Sequence, residues 1–280
     1  MIPIGLNLTS IGVSSAWWLD SAKAAEQAGF SGVWCWDHFV SRGRKSDPVL
    51  ECWTTLTAAA AVTNHLKVGS FINNVMNRHP AVLARMLATL WDQSGGRVEL
   101  GIGVGGNAAE EEAYGIHFPE PLERVAVLEE AVAVLRRLWS GGPADYSGRF
   151  FTLKEAWAHP APEPPPRIIV GGEKPGGARL AARVGDGWTT NAADYERLLP
   201  IHLAELSTHG RSRAQVVHIV AVGLARDEPL DRQPLIADMA SFAAEWRERG
   251  ADELIVNWVR PAELPALLEA AQRAGLGDSA

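Results

Sequence analysis

Short apolar segments alternate with longer amphipathic segments along nearly the whole chain of 280 residues. In residues 17–28, for example, apolar residues recur at helical spacing, and Gly29 follows where helices commonly stop. Continuous apolar strands separated by helices predict a parallel sheet that is covered on both faces. We count eight strands, at residues 4–8, 32–36, 66–72, 98–102, 167–170, 187–190, 216–222 and 253–257. Eight such units predict a closed (β/α)8 TIM barrel of class α/β, with an open doubly wound sheet as the alternative.

Residues 141–166 interrupt this alternation. Residues 145–153 have the pattern of a short β-hairpin that turns at Ser147-Gly148, and the proline-rich residues 161–166 are predicted to be extended. We interpret the segment as an excursion before the fifth strand of the barrel and not as a domain boundary. The chain is therefore predicted to form a single domain, residues 1–280.

Charge and cysteine content argue against several classes of protein. The formal net charge of −7 disfavours a general affinity for nucleic acid or for an anionic membrane. Cys35 and Cys52 belong to no CxxC motif or Cys/His cluster, so we predict neither a disulfide framework nor a metal site. The first residues lack the pattern of a signal peptide, and no apolar run is long enough to span a bilayer. A cytoplasmic location is expected.

Polar side chains follow the second and third predicted strands, and catalytic groups of such barrels lie at the carboxyl ends of strands. Asp37 and His38 follow the second strand, where an imidazole can exchange a proton near neutral pH. A structural histidine bonded to a backbone carbonyl is the alternative. Asn73 and Asn74 end the third strand and could bind the polar edge of a ring, or could simply form a turn.

Glycines follow the fourth and fifth strands. Residues 101–107 match the dinucleotide-binding pattern GxGxxG poorly, so close approach of a ligand to the backbone is the better interpretation. Residues 110–112, three glutamates, are expected to be a solvated helix start. Residues 171–178 lead into a helix whose free amides, with Lys174, could bind an anion, a flexible loop being the alternative. Together these strand ends suggest a phosphate-bearing ligand across the mouth of the barrel.

Aromatic and histidine side chains are mostly assigned to structure. Most of the eleven tryptophans are expected in the core, which leaves a few to line a pocket for a flat ring. We expect four of the eight histidines in loops or at helix ends, without a function: His65, His159, His202 and His209.

In their order and spacing these motifs resemble the luciferase-like monooxygenase family, and specifically its coenzyme F420-dependent branch. The resemblance covers nearly the whole chain, and the residues that carry it are 36–39, 69–74, 78–80, 94–105, 123–139, 171–172 and 181–188. It implies a ring bound at the carboxyl end of the barrel and hydride transfer between the deazaflavin C5 and a small organic substrate. It also implies a non-proline cis peptide at Phe71–Ile72.

The resemblance further implies roles for single residues. Asp37 and His38 would lie beside the reactive ring, with His38 a candidate acid–base group or substrate contact. The residues that would bind the cofactor are Phe71, Ile72, Asn74, Gly105, Gly106, Asn107, Gly171, Gly172, Gly176, Gly177 and Ala178. Some F420-dependent relatives carry a catalytic Glu just after the glycines of the fourth strand, where this chain has Asn107. A Glu-assisted mechanism is therefore not implied here.

Coenzyme F420 carries a phosphate and an acidic tail, so cations should border its site. The candidates are Arg42, Arg44, Lys45, Arg78 and Lys174, and an ordinary solvated loop is the alternative for the first three. FMN is the alternative cofactor, in a monooxygenase that uses O2 and reduced flavin, and a non-catalytic flavin-binding relative is a second alternative. The expected partner is a small-molecule substrate, and only the resemblance suggests a homodimer.

Overall fold

Eight parallel strands close into a barrel in the computed structural model, which describes residues 1–279. They lie around the barrel in the order β1-β10-β9-β8-β7-β4-β3-β2, and β5 and β6 form a separate antiparallel hairpin. In chain order the strands are β1 (Ile4–Leu8), β2 (Gly32–Cys35), β3 (Lys67–Asn74), β4 (Val98–Gly103), β5 (Ala144–Ser147), β6 (Thr152–Ala156), β7 (Ile168–Gly171), β8 (Gly187–Asn191), β9 (Val217–Gly223) and β10 (Glu253–Val259). The predicted barrel and the hairpin before its fifth strand are confirmed, and the open sheet is wrong.

Helices surround the barrel and return the chain to the start of each next strand. Local signals mark their ends: the Ser14 hydroxyl accepts a hydrogen bond from the Trp17 amide, and Gly95 ends a helix at φ +66°. In chain order the helices are α1 (Ser15–Gln27), α2 (Cys52–Val62), α3 (Pro80–Ser94), α4 (Ala108–Ala113), α5 (Pro121–Leu138), α6 (Pro175–Val184), α7 (Ala192–Thr208), α8 (Pro234–Ala237), α9 (Met239–Glu248) and α10 (Leu264–Arg273). None of these helices, in the part of the chain described, has the length and apolar character to cross a membrane.

The interior of the barrel is packed around the indole of Trp34, which is buried. Glycines on β1, β2 and β3 make room for the ring: a Cβ on Gly69 would lie 2.6 Å from Trp34 Nε1, and Cβ atoms on Gly5 and Gly32 would also overlap the indole. An apolar layer packs with this ring, formed by Phe71, Ile169, Ile219, Ala221 and Ile255. The barrel is therefore filled with side chains beneath its carboxyl-end mouth, as parallel barrels of this size are.

Charged side chains close the amino-terminal end of the barrel. Lys67 Nζ lies 3.4 Å from a carboxylate oxygen of both Glu99 and Glu253, and Arg167 pairs with Glu99. Burial raises the pKa of Glu253, and the charge of Glu99 raises it further. Two cations thus neutralise two buried carboxylates at the end of the barrel opposite the carboxyl-end mouth. Residues at this end of such barrels usually serve stability and not catalysis.

Two buried histidines pack between the barrel and α7. His202 was expected in a loop or at a helix end, and that expectation is wrong: it lies inside α7, because the helix continues through Pro200, where proline normally ends one. Its ring stacks on Trp188 with centroids 4.5 Å apart, and Nδ1 lies 2.9 Å from the Ala178 carbonyl oxygen. His218 Nδ1 lies 3.1 Å from the Tyr195 hydroxyl. Burial lowers the pKa of both histidines, that of His218 to about 2.

This burial predicts that acid destabilises the fold through His218. Above pH 6.5 the residue is neutral in both states, whereas below it the unfolded chain takes up a proton that the folded chain does not. The free energy of unfolding should therefore fall by about 1.4 kcal/mol per pH unit from this residue alone. Urea unfolding of wild type and His218→Phe between pH 6.5 and about 5 should show the steeper slope in wild type. The same substitution at exposed His117 should leave the slope unchanged, and equal slopes in wild type and His218→Phe would contradict a neutral buried imidazole.

Candidate active site

Two bulged strands shape the carboxyl-end mouth of the barrel. β3 has one residue more than β4 between Ser70 and Asn73, and β10 has one residue more than β1 between Val256 and Val259. Bulges of this kind re-aim the side chains near them. The peptide Phe71–Ile72, inside the first bulge, is cis, which confirms what the resemblance implied.

A buried ion pair joins the end of β2 to the end of β3. Arg78 donates to both carboxylate oxygens of Asp37, at 2.7 and 2.8 Å, and also to Glu51 Oε1 at 2.5 Å. The Asn74 amide and the Asn77 side chain each donate to Asp37 Oδ2 at 3.1 Å. The carboxylate that the resemblance placed beside the ring is thus surrounded by donors from its own chain, which favours a positioning role over an acid–base role.

Arg78 was expected among the cations that border the cofactor, and this expectation is wrong. Its side chain is only 12% exposed, it pairs with the carboxylates of Asp37 and Glu51, and it also donates to Asn73 Oδ1 at 3.2 Å. Burial lowers the pKa of Arg78, but the hydrogen bonds and the charge of Asp37 raise it by more, so the guanidinium stays charged. The charge of Arg78 is therefore used inside the protein and is not offered to a ligand.

His38 is fixed by a buried carboxylate. Its Nδ1 lies 2.6 Å from Glu110 Oε2, while Glu110 Oε1 accepts from the Phe39 amide and, at 3.0 Å, from the Val40 amide. Burial raises the pKa of Glu110, but the hydrogen bonds from His38 and these two amides lower it by more. Glu110 therefore stays ionised and directs Nδ1 inward, which leaves Nε2 of the partly exposed imidazole for other partners.

Glu110 is the residue that the sequence pattern missed. Residues 110–112 were expected to be solvated, yet Glu110 is 4% exposed and Glu111 1%, and only Glu112 is exposed. The expectation is wrong because α4 turns two of the three carboxylates toward the ends of β2 and β3. The spacing of Asn107 and Glu110 was the available signal, since an N-cap and a carboxylate three residues later often interact, and here Asn107 Nδ2 donates to Glu110 at 3.2 Å.

The side chain of Asn74 is engaged within the protein. Its Nδ2 donates to Glu111 and, at 3.1 Å, to Asn77, and its Oδ1 accepts from the Met76 amide at 3.0 Å. Burial and the charge of Glu110 raise the pKa of Glu111. Gly105, at φ +75°, packs on the same amide, because a Cβ there would lie 2.6 Å from Asn74 Oδ1. The contact of Asn74 with a bound ring stays a prediction.

The floor of the mouth is apolar at its centre and has unpaired polar atoms around it. The side chain of Ile72 fills the space over Gly103 and Gly171, where a Cβ on Gly103 would lie 2.6 Å from Ile72 Cδ1. Asn7 Oδ1 and Thr189 Oγ1 are buried, and neither has a hydrogen-bond partner among the described residues. Thr189 is paired with Gly171 on the neighbouring strand. Its side chain therefore points into the barrel, as a Cβ on Gly171 would.

The loop from β7 to α6 presents backbone amides to solvent. Gly172 and Gly177 touch, since a Cβ on Gly172 would lie 2.5 Å from Gly177 Cα, and this contact folds the loop onto the first turn of α6. Gly176 faces open space, and Lys174 is exposed beside it. The first amides of α6 have no intrahelical acceptors, so residues 171–178 lead into a helix start with free amides, and the binding of an anion there stays a prediction.

Two tryptophans line the other side of the mouth. The rings of Trp36 and Trp258 lie 4.4 Å apart between centroids, and Trp36 meets the imidazole of His38 edge-on at 4.9 Å. Trp258 sits at φ +61°, a left-handed conformation that costs an L-residue roughly 1 kcal/mol. The bulge in β10 thus holds Trp258 in a backbone conformation that it would not adopt by preference, with its ring against Trp36.

Comparison with known sequences identifies the family of this chain. The family model described as luciferase-like monooxygenase matches residues 12–275. An F420-dependent glucose-6-phosphate dehydrogenase of Kineococcus radiotolerans is 34% identical over 75% of this chain, and the match spans 64% of that relative's length. A protein of the same name from Microbacterium testaceum is 32% identical over 81% of this chain and 70% of its own. A 5,10-methylenetetrahydromethanopterin reductase of Archaeoglobus fulgidus is 30% identical over 92% and 69%.

Solved structures share the fold. An F420-dependent secondary alcohol dehydrogenase in complex with an F420–acetone adduct superposes with a TM-score of 0.84, at 22% identity over 98% of this chain and 99% of that one. An EDTA monooxygenase from Chelativorans superposes with a TM-score of 0.78, at 14% identity over 98% and 94%. At these identities the likeness concerns the fold alone, and the fold is shared by a dehydrogenase and a monooxygenase.

The ion pair under the mouth predicts a large loss of stability on Arg78→Met. This substitution keeps the length of the side chain but leaves the Asp37 carboxylate buried without its counter-charge, which should cost about 3–5 kcal/mol in urea unfolding. Arg149→Met is the matched control, because Arg149 forms an exposed pair with Glu123 and its loss should cost under about 1 kcal/mol. A similar small loss in both variants would show that the buried pair does not support this end of the barrel.

Proposed function

This chain belongs to the luciferase-like monooxygenase family, and we propose that within it the protein is an F420-dependent oxidoreductase. It would transfer a hydride between the deazaflavin C5 of the cofactor and a small organic substrate at the carboxyl end of the barrel. The observation that carries the proposal is the imidazole of His38, which Glu110 fixes through Nδ1 and whose Nε2 lies 3.5 Å from the exposed Arg42 beside the mouth. The F420-dependent relatives named above support the choice of cofactor.

The mouth fits a flat ring with a polar edge. The side chain of Ile72 offers an apolar platform, and the unpartnered oxygens of Asn7 on β1 and Thr189 on β8 are buried on the inner face of the barrel wall. Buried polar atoms without partners are uncommon, and a ligand that donates hydrogen bonds to them removes their cost. The pyrimidine edge of a deazaflavin carries groups of that kind. These two acceptor atoms therefore suit the proposed cofactor.

The predicted phosphate loop fits the other end of the same ligand. The amides at the start of α6, next to Lys174, would hold the phosphate, and Gly176 keeps the approach open. The residues that we propose to contact the cofactor are Phe71, Ile72, Asn74, Gly105, Gly106, Asn107, Gly171, Gly172, Gly176, Gly177 and Ala178.

The roles of this chain's own residues in catalysis follow from this arrangement. Coenzyme F420, when bound, supplies hydride exchange at C5 of its ring. His38 would take or return the substrate's proton at Nε2, and the Glu110 carboxylate at Nδ1 would orient the imidazole and stabilise its charged form. Trp36 and Trp258 would exclude water from the reacting atoms, and Asp37 would hold the loop through Arg78. The substrate would be a small molecule, while a cytoplasmic location and a homodimer stay predictions.

The cofactor assignment predicts binding of F420 and not of FMN. Titration of the purified protein with each, followed by tryptophan quenching, should give micromolar or tighter binding to F420 that weakens as salt is raised. Gly176→Asp should weaken F420 binding about tenfold or more, because a carboxylate at the helix start repels the phosphate, while it leaves the fold intact or more stable. Gly176→Asn, of the same size but neutral, is the control and should change binding little.

Other outcomes of this titration separate the alternatives. Binding of FMN alone would identify a monooxygenase that uses O2 and reduced flavin. If neither cofactor bound, both cofactor assignments would be wrong, although the barrel fold would stand. Unchanged F420 affinity in Gly176→Asp would place the phosphate elsewhere.

The catalytic roles predict a graded loss of activity. With any alcohol or sugar phosphate that reduces F420 in this enzyme, His38→Ala should lower kcat by about 10²-fold or more, the usual contribution of a general acid or base. Glu110→Gln should lower kcat by about tenfold, since it keeps the fold but weakens the hold on Nδ1. Glu112 lies two residues further along, on the exposed side of α4, and Glu112→Gln should leave kcat unchanged. Unchanged turnover in His38→Ala would remove the residue from the mechanism.

A further inference from the structure

Two arginines with unpaired charges lie over the tryptophan pair at the mouth. Arg42 Cζ is 5.1 Å from the centre of the Trp36 ring, and Arg226 Cζ is 5.4 Å from the centre of the Trp258 ring. Both arginines are exposed, and neither forms an ion pair within the described part of the chain. Arg44, on the same loop as Arg42, differs from them because it pairs with Asp47 at 3.0 Å.

Contact with an aromatic face leaves an arginine able to bind something else. The face attracts the charge but accepts none of the five N–H donors in the usual in-plane geometry. Two guanidinium groups held against one pair of touching rings also add their fields. An acidic group is the ligand that such a pair favours, and an arginine can hold either a carboxylate or a phosphate through two parallel hydrogen bonds.

The order of strands separates these arginines from the phosphate loop. Arg42 follows β2 and Arg226 follows β9, and around the barrel β2, β1, β10 and β9 are consecutive. The loop at residues 171–178 follows β7. Although Arg226 itself follows β9, the two rings that the guanidinium groups cover, Trp36 after β2 and Trp258 on β10, each lie three strands from β7 and flank β1, which is four strands away in either direction. The two cationic regions therefore lie on opposite sides of the mouth. A ligand whose phosphate is held at α6 leaves the arginines facing the remaining half, where a substrate would enter.

Arg42 also lies beside the proposed catalytic imidazole. Arg42 Nη2 lies 3.5 Å from His38 Nε2, the nitrogen that Glu110 leaves free, and His38 meets the edge of Trp36. An acidic group bound by Arg42 would therefore lie next to the atom that exchanges the substrate's proton. The flat faces of Trp36 and Trp258 would cover the body of the same molecule.

We propose that Arg42, Arg226 and the two tryptophans recognise an organic anion as the substrate, a molecule with a carboxylate or phosphate group and a flat apolar body. This inference rests on the proposed function and names the class of substrate for that site. It assigns Arg42 and Arg226 to the substrate and not to the cofactor.

Three probes with one aromatic ring test the inference: mandelate, benzyl phosphate and benzyl alcohol. Calorimetric titration, with F420 present and absent, should show at least one of the two anions binding about tenfold or more tightly than the alcohol. The better anion identifies the acidic group as carboxylate or phosphate. Arg42→Gln and Arg226→Gln should each weaken the binding of that anion about tenfold and leave the alcohol unchanged, and Arg44→Gln is the matched control that should change neither.

Three results would overturn the inference. The first is equal binding of the anions and the alcohol, and the second is an equal loss in Arg44→Gln. The third is a loss of F420 affinity in Arg42→Gln or Arg226→Gln, which would assign these arginines to the cofactor. Failure of the proposed function is a separate result: F420 would not bind, while the preference for an anion and its loss in the two variants would persist.

Discussion

The buried ion pair between Asp37 and Arg78 holds the candidate site together. It ties the loop after β2, which carries His38, to the end of β3, which carries Ile72, and it reaches α2 through Glu51. A carboxylate without exposed surface needs a full set of donors, and Asp37 finds them on β3 and on the turn that follows it. The relative positions of the imidazole and the apolar platform depend on this pair. Pairing of such strength between two strand ends also explains how a mouth made of loops can be rigid enough for chemistry.

The mouth has two halves because the closed barrel separates its strand ends. The glycines at the β7–α6 loop allow close approach to backbone amides, whereas the β2 and β10 ends present aromatic rings and guanidinium groups. Between them lies the platform of Ile72, with buried oxygens that lack partners. Because a dehydrogenase and a monooxygenase share this fold, the barrel itself does not choose the reaction. The side chains at the strand ends determine it, and in this chain they combine a fixed imidazole with the exposed guanidinium groups of Arg42 and Arg226.

The barrel was predictable from the sequence because its signals are local. Alternation of apolar strands with helices, and glycine at helix ends such as Gly29, predicted all eight strands within a few residues of their positions. The cis peptide at Phe71–Ile72 came from resemblance to a family, since no rule of spacing predicts it. Glu110, the partner of His38, was not predicted, because 72 residues separate the two and three adjacent glutamates normally lie in water. The same reason explains Arg78, whose role depends on a partner 41 residues away.

A crystal structure of the protein with bound F420 would test this account most directly. The account predicts that the deazaflavin ring lies on the side chain of Ile72 and that its phosphate is bound by the amides at the start of α6. It also predicts that Nε2 of His38 points to the open face of the ring, with Arg42 and Arg226 free of the cofactor. A ring bound elsewhere, or a phosphate held by Arg42 and Arg226, would contradict the division of the mouth into a cofactor half and a substrate half.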